Sequence, residues 1–527
     1  LGIAAMVPLR RLLIVRSADE LPYPEGTACA EVLRATTAVG ASGSRWIFIG
    51  LAVGAAVKLG LGAFMLFPSA LTAHLPVLPK AEIALEIAPA LLGVGYILGY
   101  RMSAIMVSGS LISAIVLTPL IAVYGTGPIA SLTAGQIWSK HVRFIGAGAV
   151  AAAGIVAVAR ALPTMWSSFS AVVKGLRTTR GVSLDGNETR TDRDVPAWIV
   201  VAVPLAVIVT LVTVPGLFAG NMALAPRLVS AIGVAIFGVC FVVVSSRIVG
   251  LIGVSSNPTS AMTLVTLLGV SVIFVLLGWS DPSARAAILT VGTVVCIAAS
   301  KAGDISQDLK TGYLVGATPA RQQYGQFLGA AFACWAIAGV VLLLGSAFKF
   351  GSPELPAPQA TLMKTVIEGV LSGSLPWGLV GSGAALAVCA IIAGLPGLSF
   401  AVGIYLPLST LAPVFVGGIV RRIVDSRRKG KALDSDPGVL AASGMIAGEG
   451  LAGVVIAFLV AASSRFSGLK ASLASFHFAA KDFTWISGVP AIVAGVVLLF
   501  AISWLLVLAA RSPEAHQREA AAEGEHT

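Results

Sequence analysis

Long apolar runs, separated by short polar segments, extend over almost the whole chain. A helix needs about 20 apolar residues to cross a bilayer, and the strict alternation of a spanning β-strand does not occur in these runs. Helices are therefore the only spanning structure that the pattern allows. After a partial run at the start, the predicted spans are 46–67, 83–100, 103–124, 141–162, 197–215, 227–246, 261–279, 285–300, 325–347, 377–394, 399–420, 439–461 and 488–509.

These runs predict an all-α polytopic integral membrane protein with about 12 to 14 transmembrane or re-entrant segments. The composition agrees, because 57% of the residues are hydrophobic and only 11% are charged, against about 25% charged in soluble domains. The first residue, Leu1, already lies in an apolar run, so we expect the chain to begin inside a span and to lack an upstream segment. One helical transmembrane domain, 1–510, then precedes a polar tail, 511–527, that we expect to be disordered and cytoplasmic.

The basic residues are concentrated in four of the segments between spans: 10–45, 163–197, 301–323 and 421–436. Four further segments, at 68–82, 125–137, 216–225 and 280–284, hold one lysine among them. Basic loops of membrane proteins face the cytoplasm, so the four basic segments and the C-terminus are predicted to be cytoplasmic in the cell (inner or plasma) membrane. This orientation also accounts for the net charge of +11, which therefore does not indicate nucleic-acid binding.

Counting spans between these segments exposes one conflict. The span 377–394 should end in the cytoplasm, yet the basic segment after 399–420 should be cytoplasmic too, and one crossing cannot satisfy both. A re-entrant hairpin over 395–420 removes the conflict, and its prolines and glycines suit irregular backbone that is buried in protein. The alternative is an ordinary kinked span, with an error elsewhere in the count.

A second interruption, Ser255-Ser256-Asn257-Pro258-Thr259, divides an otherwise continuous apolar stretch. Broken helices in membrane carriers supply backbone carbonyls and helix ends to a substrate or ion. The alternative is a plain turn, in which Asn-Pro starts the next helix.

Two charged residues lie near the middle of predicted spans. Glu449 is flanked by Gly444 and Gly448, a GxxxG face that predicts close packing on another helix. Lys58 is placed to pair with Glu449 or to receive a substrate carboxylate. A structural hydrogen bond for Glu449 and a lysine that reaches the interface remain the alternatives. Arg101 lies between the predicted spans 83–100 and 103–124. A basic residue that anchors the chain at the cytoplasmic surface of the membrane explains it better than a residue that binds a ligand.

The segment Lys301–Gln323 is a polar island between two spans. Asp304 and Asp308 are four residues apart and would share a helix face, and Lys310 and Tyr313 follow them. Neighbouring carboxylates suit proton or cation handling. The alternative is a solvated cytoplasmic loop.

No motif in the chain indicates an enzyme. GxSxG, HExxH, P-loop and CxxC patterns are absent, and the five histidines are dispersed. We therefore expect no catalytic residues, no cofactor and no metal site, and we expect the five scattered cysteines to be small buried side chains.

Four stretches together resemble the oligopeptide transporter (OPT) family, which includes the yellow-stripe-like metal–chelate carriers. They are LPYPEGTACAEVL from Leu21, SSNPTSAMT from Ser255, GDISQDLKTGYLVGATPARQQ from Gly303 and AVGIYLPLSTLAPVFVGG from Ala401. The NPG and KIPPR motifs of the eukaryotic peptide-transporting branch are missing, so the chain looks closer to the bacterial and yellow-stripe-like side.

The resemblance implies a secondary carrier that imports small oligopeptides or peptide-like metal chelates with protons, by alternating access. The expected partners are the substrate, protons, the lipid bilayer and further copies of the chain. A channel with a filter around Gly403 to Pro407 is a less favoured alternative. In the stretch from Leu21, helix capping and substrate contact both explain Glu25, and Glu31 could also touch substrate.

We assign site residues from the positions of the breaks and of the buried charges. A cavity near 255–263 and 395–418 is expected to hold the substrate. The predicted substrate-binding residues are Asn257, Pro258, Thr259, Tyr313 and Tyr405. The predicted proton-coupling residues are Glu449, Asp304, Asp308 and Lys58.

Overall fold

The computed structural model describes residues 1–18, 45–125, 128–150, 189–218, 222–252, 259–348, 357–372, 376–426, 437–466 and 484–511, and a few residues between these ranges. This part of the chain is almost entirely helical. Its helices are α1 (Gly2–Arg10), α2 (Arg45–Lys58), α3 (Pro89–Leu111), α4 (Thr118–Tyr124), α5 (Ala134–Ile137), α6 (Ala197–Thr213), α7 (Leu224–Ile252), α8 (Thr259–Leu276), α9 (Pro282–Leu314), α10 (Pro319–Ala347), α11 (Pro358–Ser372), α12 (Trp377–Ile392), α13 (Gly397–Tyr405), α14 (Leu408–Asp425), α15 (Pro437–Arg465) and α16 (Gly488–Ala510). The π-helical turns Arg11–Arg16, Leu59–Ala63, Ile112–Leu117 and Trp138–Val142 follow α1, α2, α3 and α5.

Seven of the described helical stretches are long and apolar enough to cross a membrane. They are Arg45–Ala63, Pro89–Tyr124, Leu224–Gly250, Pro282–Leu314, Pro319–Ala347, Pro437–Ser463 and Gly488–Ala510. Three shorter apolar helices, Ala197–Thr213, Met262–Leu276 and Trp377–Ile392, accompany them. The predicted all-α polytopic fold class is thereby confirmed.

The described chain divides into two compact units. The first comprises residues 1–40, 154–336 and 359–375. In it α7 packs along α9, and α1 and α8 pack against the same helix. Polar contacts cross this apolar core, since the Ser245 hydroxyl donates to the carbonyl oxygen of Ala299 at 2.6 Å.

The second unit comprises residues 41–153, 337–358 and 376–527. Its two main helix pairs are α2 with α15 and α3 with α14, and α3 also packs on α15. Buried residues that include Leu92, Tyr96, Met445 and Leu506 form its hydrophobic core.

Glycines bring α2 and α15 into backbone contact. A Cβ atom on Gly448 would collide with the carbonyl oxygen of Leu51, and one on Gly444 with that of Ile47. Gly54 on α2 meets the carbonyl of Met445 in the same way. The close packing predicted from the GxxxG face is therefore confirmed.

A β-hairpin lies between α2 and α3 in the second unit. Its strands, β1 (Ala70–His74) and β2 (Glu82–Glu86), are antiparallel, with Ala70 opposite Glu86 and His74 opposite Glu82. β2 packs against α14 and also contacts the π-helical turn Ile112–Leu117.

Helix α3 is two helices that meet at Gly99, whose φ of 79° and ψ of 170° are not helical. The Ser103 hydroxyl lies 3.4 Å from the carbonyl oxygen of Gly95, although eight residues of straight helix span about 12 Å. The chain therefore bends sharply back at Gly99, and residues 89–98 form a half-helix. The bend agrees with the predicted boundary between the spans 83–100 and 103–124, but the predicted start at residue 83 is wrong, because residues 82–86 form strand β2.

A second break separates α13 from α14. Leu406 and Pro407 are extended, with ψ angles of 144° and 152°. This is the interruption that the prolines predicted, and the re-entrant course of 395–420 stays a prediction.

The polar island is not a separate segment between spans. Helix α9 runs on to Leu314 and α10 begins at Pro319. The charged residues from Lys301 to Lys310 therefore lie on a helix, with one face buried and one exposed.

Candidate functional site

The carboxylate of Glu449 joins three helices of the second unit. Its Oε1 atom lies 3.7 Å from the ammonium nitrogen of Lys58 on α2. Its Oε2 atom accepts a 2.7 Å hydrogen bond from the backbone N–H of Ala90 at the start of α3. The Glu449 side chain is 13% exposed and that of Lys58 is 40% exposed. The pair is therefore shielded at its anionic end and accessible at its cationic end.

Glu449 supplies the hydrogen-bond acceptor for a backbone N–H group in the first turn of α3. The first four N–H groups of a helix have no partner within that helix. The N-cap residue here is Ala88, whose side chain has no acceptor, and the next residue is Pro89, which has no N–H. Glu449 thus caps the half-helix from another element, and its negative charge is favourable at the positive end of the helix.

A second carboxyl group, that of Glu86, lies shortly before α3 in the sequence. It ends β2, three residues before α3 begins. Burial raises the pKa of Glu86 above its ordinary value, the charge of Lys58 lowers it and the charge of Glu449 raises it. The sequence analysis missed this residue, although a carboxyl group inside the predicted span 83–100 was the signal that pointed to it.

Tyr405 lies at the end of α13, directly before the break, and is 5% exposed. Its hydroxyl accepts a 3.4 Å hydrogen bond from Nε of Arg143. The guanidinium of Arg143 also lies 5.9 Å from the ring centre of Tyr405 and from that of Trp138. The phenol is therefore held in place beside a cation.

The first unit has its own polar cluster, at the junction between α7 and α8. Glu25 accepts a 2.7 Å hydrogen bond from the backbone N–H of Val254 and a 2.5 Å hydrogen bond from the amide nitrogen of Gln307. The amide oxygen of Gln307 accepts from the N–H of Gly26 at 2.6 Å. Gln307, only 5% exposed, thus ties α9 to the residues around Glu25.

Asn257 stands next to this cluster. Its amide nitrogen donates to the Ser245 hydroxyl at 2.8 Å. Its buried amide oxygen has no hydrogen-bond partner among the described residues. A Cβ atom on Gly303 would come within 2.9 Å of the Asn257 amide nitrogen, so glycine is what leaves room for this side chain. Thr259 begins α8, and Pro258 lies outside the described residues.

The predicted carboxylate pair of the polar island lies on the exposed side of α9. Asp304 forms an ion pair with Lys301 at 3.3 Å, and Asp308 accepts from the Gln326 amide at 3.4 Å. The buried side of the same turns carries Gln307 and Lys310, which is 4% exposed. Sequence spacing placed the two carboxylates on one face correctly but could not indicate which face was buried.

Lys310 is enclosed by carbonyl groups and aromatic rings. Its ammonium nitrogen lies 3.4 Å from the carbonyl oxygen of Leu21 and 5.9 Å and 5.8 Å from the ring centres of Tyr23 and Tyr313. Tyr313 is 42% exposed and lines a cavity of about 260 Å³ together with Arg10 and Gln322. Sites for whole small molecules occupy about 300–1,000 Å³, so this cavity has room for part of such a ligand.

Comparison with known proteins decides the family. Residues 1–460 match the family model described as OPT oligopeptide transporter protein. The chain belongs to the OPT oligopeptide transporter family. The resemblance predicted from the four sequence stretches is therefore confirmed.

Relatives of this OPT chain include bacterial and plant proteins. It is 30% identical to a Haemophilus influenzae protein named "Putative oligopeptide transporter", over 90% of this chain and 81% of that protein. It is 24% identical to an Arabidopsis thaliana "Probable metal-nicotianamine transporter", over 71% of this chain and 55% of that protein. A rice protein of the same description is 32% identical over 36% of this chain and 30% of its own length.

Three of the four stretches that carry the OPT resemblance meet in the cluster of the first unit. They contribute Glu25, Asn257 and Gln307, and the Glu25 and Gln307 side chains are 2.5 Å apart. The fourth stretch contains Tyr405 and the break at Leu406 and Pro407 in the second unit. The residues that identify the family are thus the ones that surround the helix breaks.

Proposed function

We propose that this protein imports small oligopeptides across the cell membrane as a proton-coupled secondary carrier that works by alternating access. The observation that carries the proposal is the Lys58–Glu449 pair at the start of α3. Charges inside an apolar helix bundle are costly and mark ion or substrate pathways. Because Glu449 also holds the first turn of a half-helix, a change of charge at this pair is linked to a movement of backbone.

Among the predicted proton-coupling residues, the geometry favours Glu449 and Lys58 over Asp304 and Asp308. Asp304 already has an exposed neighbour, Lys301, as its partner. The Asp304 side chain is 39% exposed, whereas that of Glu449 is 13% exposed, and charges enclosed in an apolar helix bundle are the ones that mark ion pathways. The coupling centre of this proposal is therefore in the second unit.

The proposed substrate-binding residues are Asn257, Pro258, Thr259, Tyr313 and Tyr405. Asn257 has a buried amide oxygen with no hydrogen-bond partner in the described part of the chain, and this oxygen could accept an N–H of a peptide bond. The exposed ring of Tyr313 offers an apolar surface beside the Lys310 ammonium, which suits a side chain or a carboxylate. Tyr405 offers its ring and the neighbouring Arg143.

We further propose that the basic segments and the C-terminus face the cytoplasm, and that the protein resides in the inner or plasma membrane. The excess of arginine and lysine in 10–45, 163–197, 301–323 and 421–436 supports this orientation.

Metal–chelate complexes are the second candidate substrate. The plant relatives named as metal-nicotianamine transporters favour it. Such chelates carry amino and carboxylate groups like those of a short peptide, so the same polar side chains could bind either class.

Uptake into proteoliposomes tests both substrate classes. We expect labelled tetra-alanine to accumulate above equilibrium under an inward proton gradient, with a protonophore abolishing the accumulation. Labelled iron–nicotianamine, offered in parallel, decides for the second candidate if it accumulates instead. Accumulation of neither, or ohmic current without saturation, would refute the proposed carrier and favour a channel.

A further inference from the structure

Two long apolar helices of the second unit have their ends in contact at one edge. Helix α15 begins at Pro437 and α16 ends at Ala510, and both are long and apolar enough to cross a membrane. A Cβ atom on Gly438 would come within 3.2 Å of the Cβ atom of Ala510 and would collide with the hydroxyl group of Tyr96. The half-helix 89–98 therefore reaches this edge too, at the level where apolar helices end and lipid headgroups begin.

Two arginines in the last turns of α14 lie beside tyrosine rings at the same edge. The guanidinium of Arg421 lies 5.2 Å from the ring centre of Tyr96, and that of Arg422 lies 4.4 Å from the ring centre of Tyr100. The ring of Tyr100 in turn lies 5.9 Å from that of Phe415 on α14. Contact with an aromatic face orients a planar guanidinium, which can then bind a phosphate group through two parallel hydrogen bonds.

Two further arginines flank these contacts. Arg101 directly follows Tyr100, and Arg511 directly follows Ala510, and both arginines are exposed. Consecutive Cα atoms are only about 3.8 Å apart, so both lie at the edge already described. We call the four residues Arg101, Arg421, Arg422 and Arg511 the arginine edge.

Carboxylates of the described residues do not balance the charge of the arginine edge. Arg421 pairs with Asp425 at 2.9 Å. Arg422 is exposed and has no ion-pair partner in the part of the chain that the structure describes, and the same holds for Arg101 and Arg511. The arginine edge therefore keeps an excess of positive charge that suits an anion.

Exposed apolar side chains border the arginine edge. Ile97 and Leu98 lie just before Tyr100, and Ile423 lies next to Arg422 on α14, and all three are exposed. A small soluble anion makes no use of apolar surface, whereas a phospholipid carries both a phosphate group and acyl chains. The combination of guanidinium groups and apolar side chains therefore favours an amphiphilic ligand.

We propose that the arginine edge binds the headgroup of an anionic phospholipid, with its phosphate held by Arg422 and attracted by the neighbouring arginines. The acyl chains then lie along Ile97 and Leu98. Basic pockets between transmembrane helices are sites of this kind. Since Arg101 follows the bend at Gly99 and Arg422 lies on α14, one headgroup would join the second half of α3 to α14. The proposal does not depend on the substrate or the coupling ion of transport.

Native mass spectrometry of the protein in detergent tests the proposal, with phosphatidylglycerol and phosphatidylcholine of the same acyl chains added at equal concentration. We expect phosphatidylglycerol to bind in preference, because it alone has a net negative charge. Arg422→Gln should weaken the affinity for phosphatidylglycerol about fivefold, which is the effect of one basic residue near an anionic membrane surface. Arg321→Gln is the matched control, because Arg321 is an exposed arginine in the first turn of α10, in another basic segment.

The other outcomes overturn the proposal. Equal affinity for phosphatidylglycerol in Arg422→Gln and Arg321→Gln would place the lipid away from the arginine edge. Equal binding of the two lipids would show that the acyl chains bind without help from the arginines. Displacement of phosphatidylglycerol by inorganic phosphate at equal concentration would assign the arginines to a soluble anion. Should Arg422→Gln not fold, Arg101→Gln must weaken the affinity for phosphatidylglycerol, and an unchanged affinity refutes the site equally.

Discussion

The Glu449 carboxylate accepts a 2.7 Å hydrogen bond from the backbone N–H of Ala90 and thereby fixes the middle of α15 to the start of α3. The same carboxylate holds the Lys58 ammonium at 3.7 Å. One side chain thus connects a helix end, a cation and a long apolar helix. Changing it affects both the charge and the backbone of the second unit.

Glu449→Gln keeps an oxygen for the Ala90 N–H but removes the charge that holds Lys58. We expect proton-driven accumulation of substrate to fall by about tenfold or more, which corresponds to roughly 1.4 kcal/mol. Uptake into proteoliposomes with an imposed gradient measures it. Glu368→Gln is the control, because this half-exposed carboxylate pairs with Arg285 at 3.3 Å on the other unit. Equal uptake by the two variants would contradict the role of Glu449.

Gly448→Ala should separate α2 from α15. The added methyl group meets the carbonyl oxygen of Leu51, and overpacking of this kind costs about 1–3 kcal/mol. Gly450→Ala on the same helix is the control, since nothing lies within 4 Å of its added Cβ. Thermal unfolding in detergent should show a lower Tm for Gly448→Ala only, and equal Tm values would mean that the backbone contact is absent.

Arg10 and Arg11 bind the same carboxylate, and comparing them tests how burial changes the contribution of an ion pair to stability. Arg10 and Arg11 both contact Asp194, at 2.6 Å and 3.3 Å, but Arg10 is 2% exposed and Arg11 is 48% exposed. We expect Arg10→Met to destabilise the protein by about 2 kcal/mol or more, because buried charged hydrogen bonds are lost. Arg11→Met should cost under about 1 kcal/mol, as exposed ion pairs do. Thermal unfolding of the two variants measures the difference, and the opposite order would refute it.

Gln307→Leu should loosen the junction between α7 and α8. The change leaves the N–H of Gly26 and one oxygen of Glu25 without their partner, and each such buried group costs about 1–3 kcal/mol. Gln326→Leu is the comparison, since its amide makes one hydrogen bond of 3.4 Å to Asp308 and its oxygen has no partner among the described residues. A Tm that drops as far in Gln326→Leu as in Gln307→Leu would show that the Gln307 bridge contributes little.

Much of this organisation is visible in the sequence. Apolar run length predicted most of the helices, and the prolines predicted the interruption between α7 and α8 and the break at Leu406 and Pro407. The boundary predicted between the spans 83–100 and 103–124 lies within a few residues of the bend at Gly99. Position along the span correctly put Glu449 near the middle of its helix, whereas Lys58 is the last residue of α2. The glycine spacing at Gly444 and Gly448 predicted the close packing. Each of these signals is local, so a single stretch of residues is sufficient to find it.

The remaining features depend on partners that lie far away in the chain. The hairpin was missed because its strands are short and adjoin apolar helices, and with it the position of Glu86. The buried face of α9 could not be predicted, because the contacts of Gln307 with Glu25 join residues that are 282 positions apart.

The glycine contacts between α2 and α15 have a mechanical consequence. Helices whose backbones touch through glycine and carbonyl groups cannot slide past each other without collision, so we expect α2 and α15 to move as one rigid body. Lys58 lies on α2 and Glu449 lies on α15. The half-helix 89–98 ends at Gly99, the single non-helical residue inside α3. Because glycine has no Cβ atom, its backbone can rotate more freely than that of other residues. We therefore expect any movement of the half-helix relative to Lys58 and Glu449 to be a rotation of ten residues about Gly99, with an amplitude limited by the length of the half-helix.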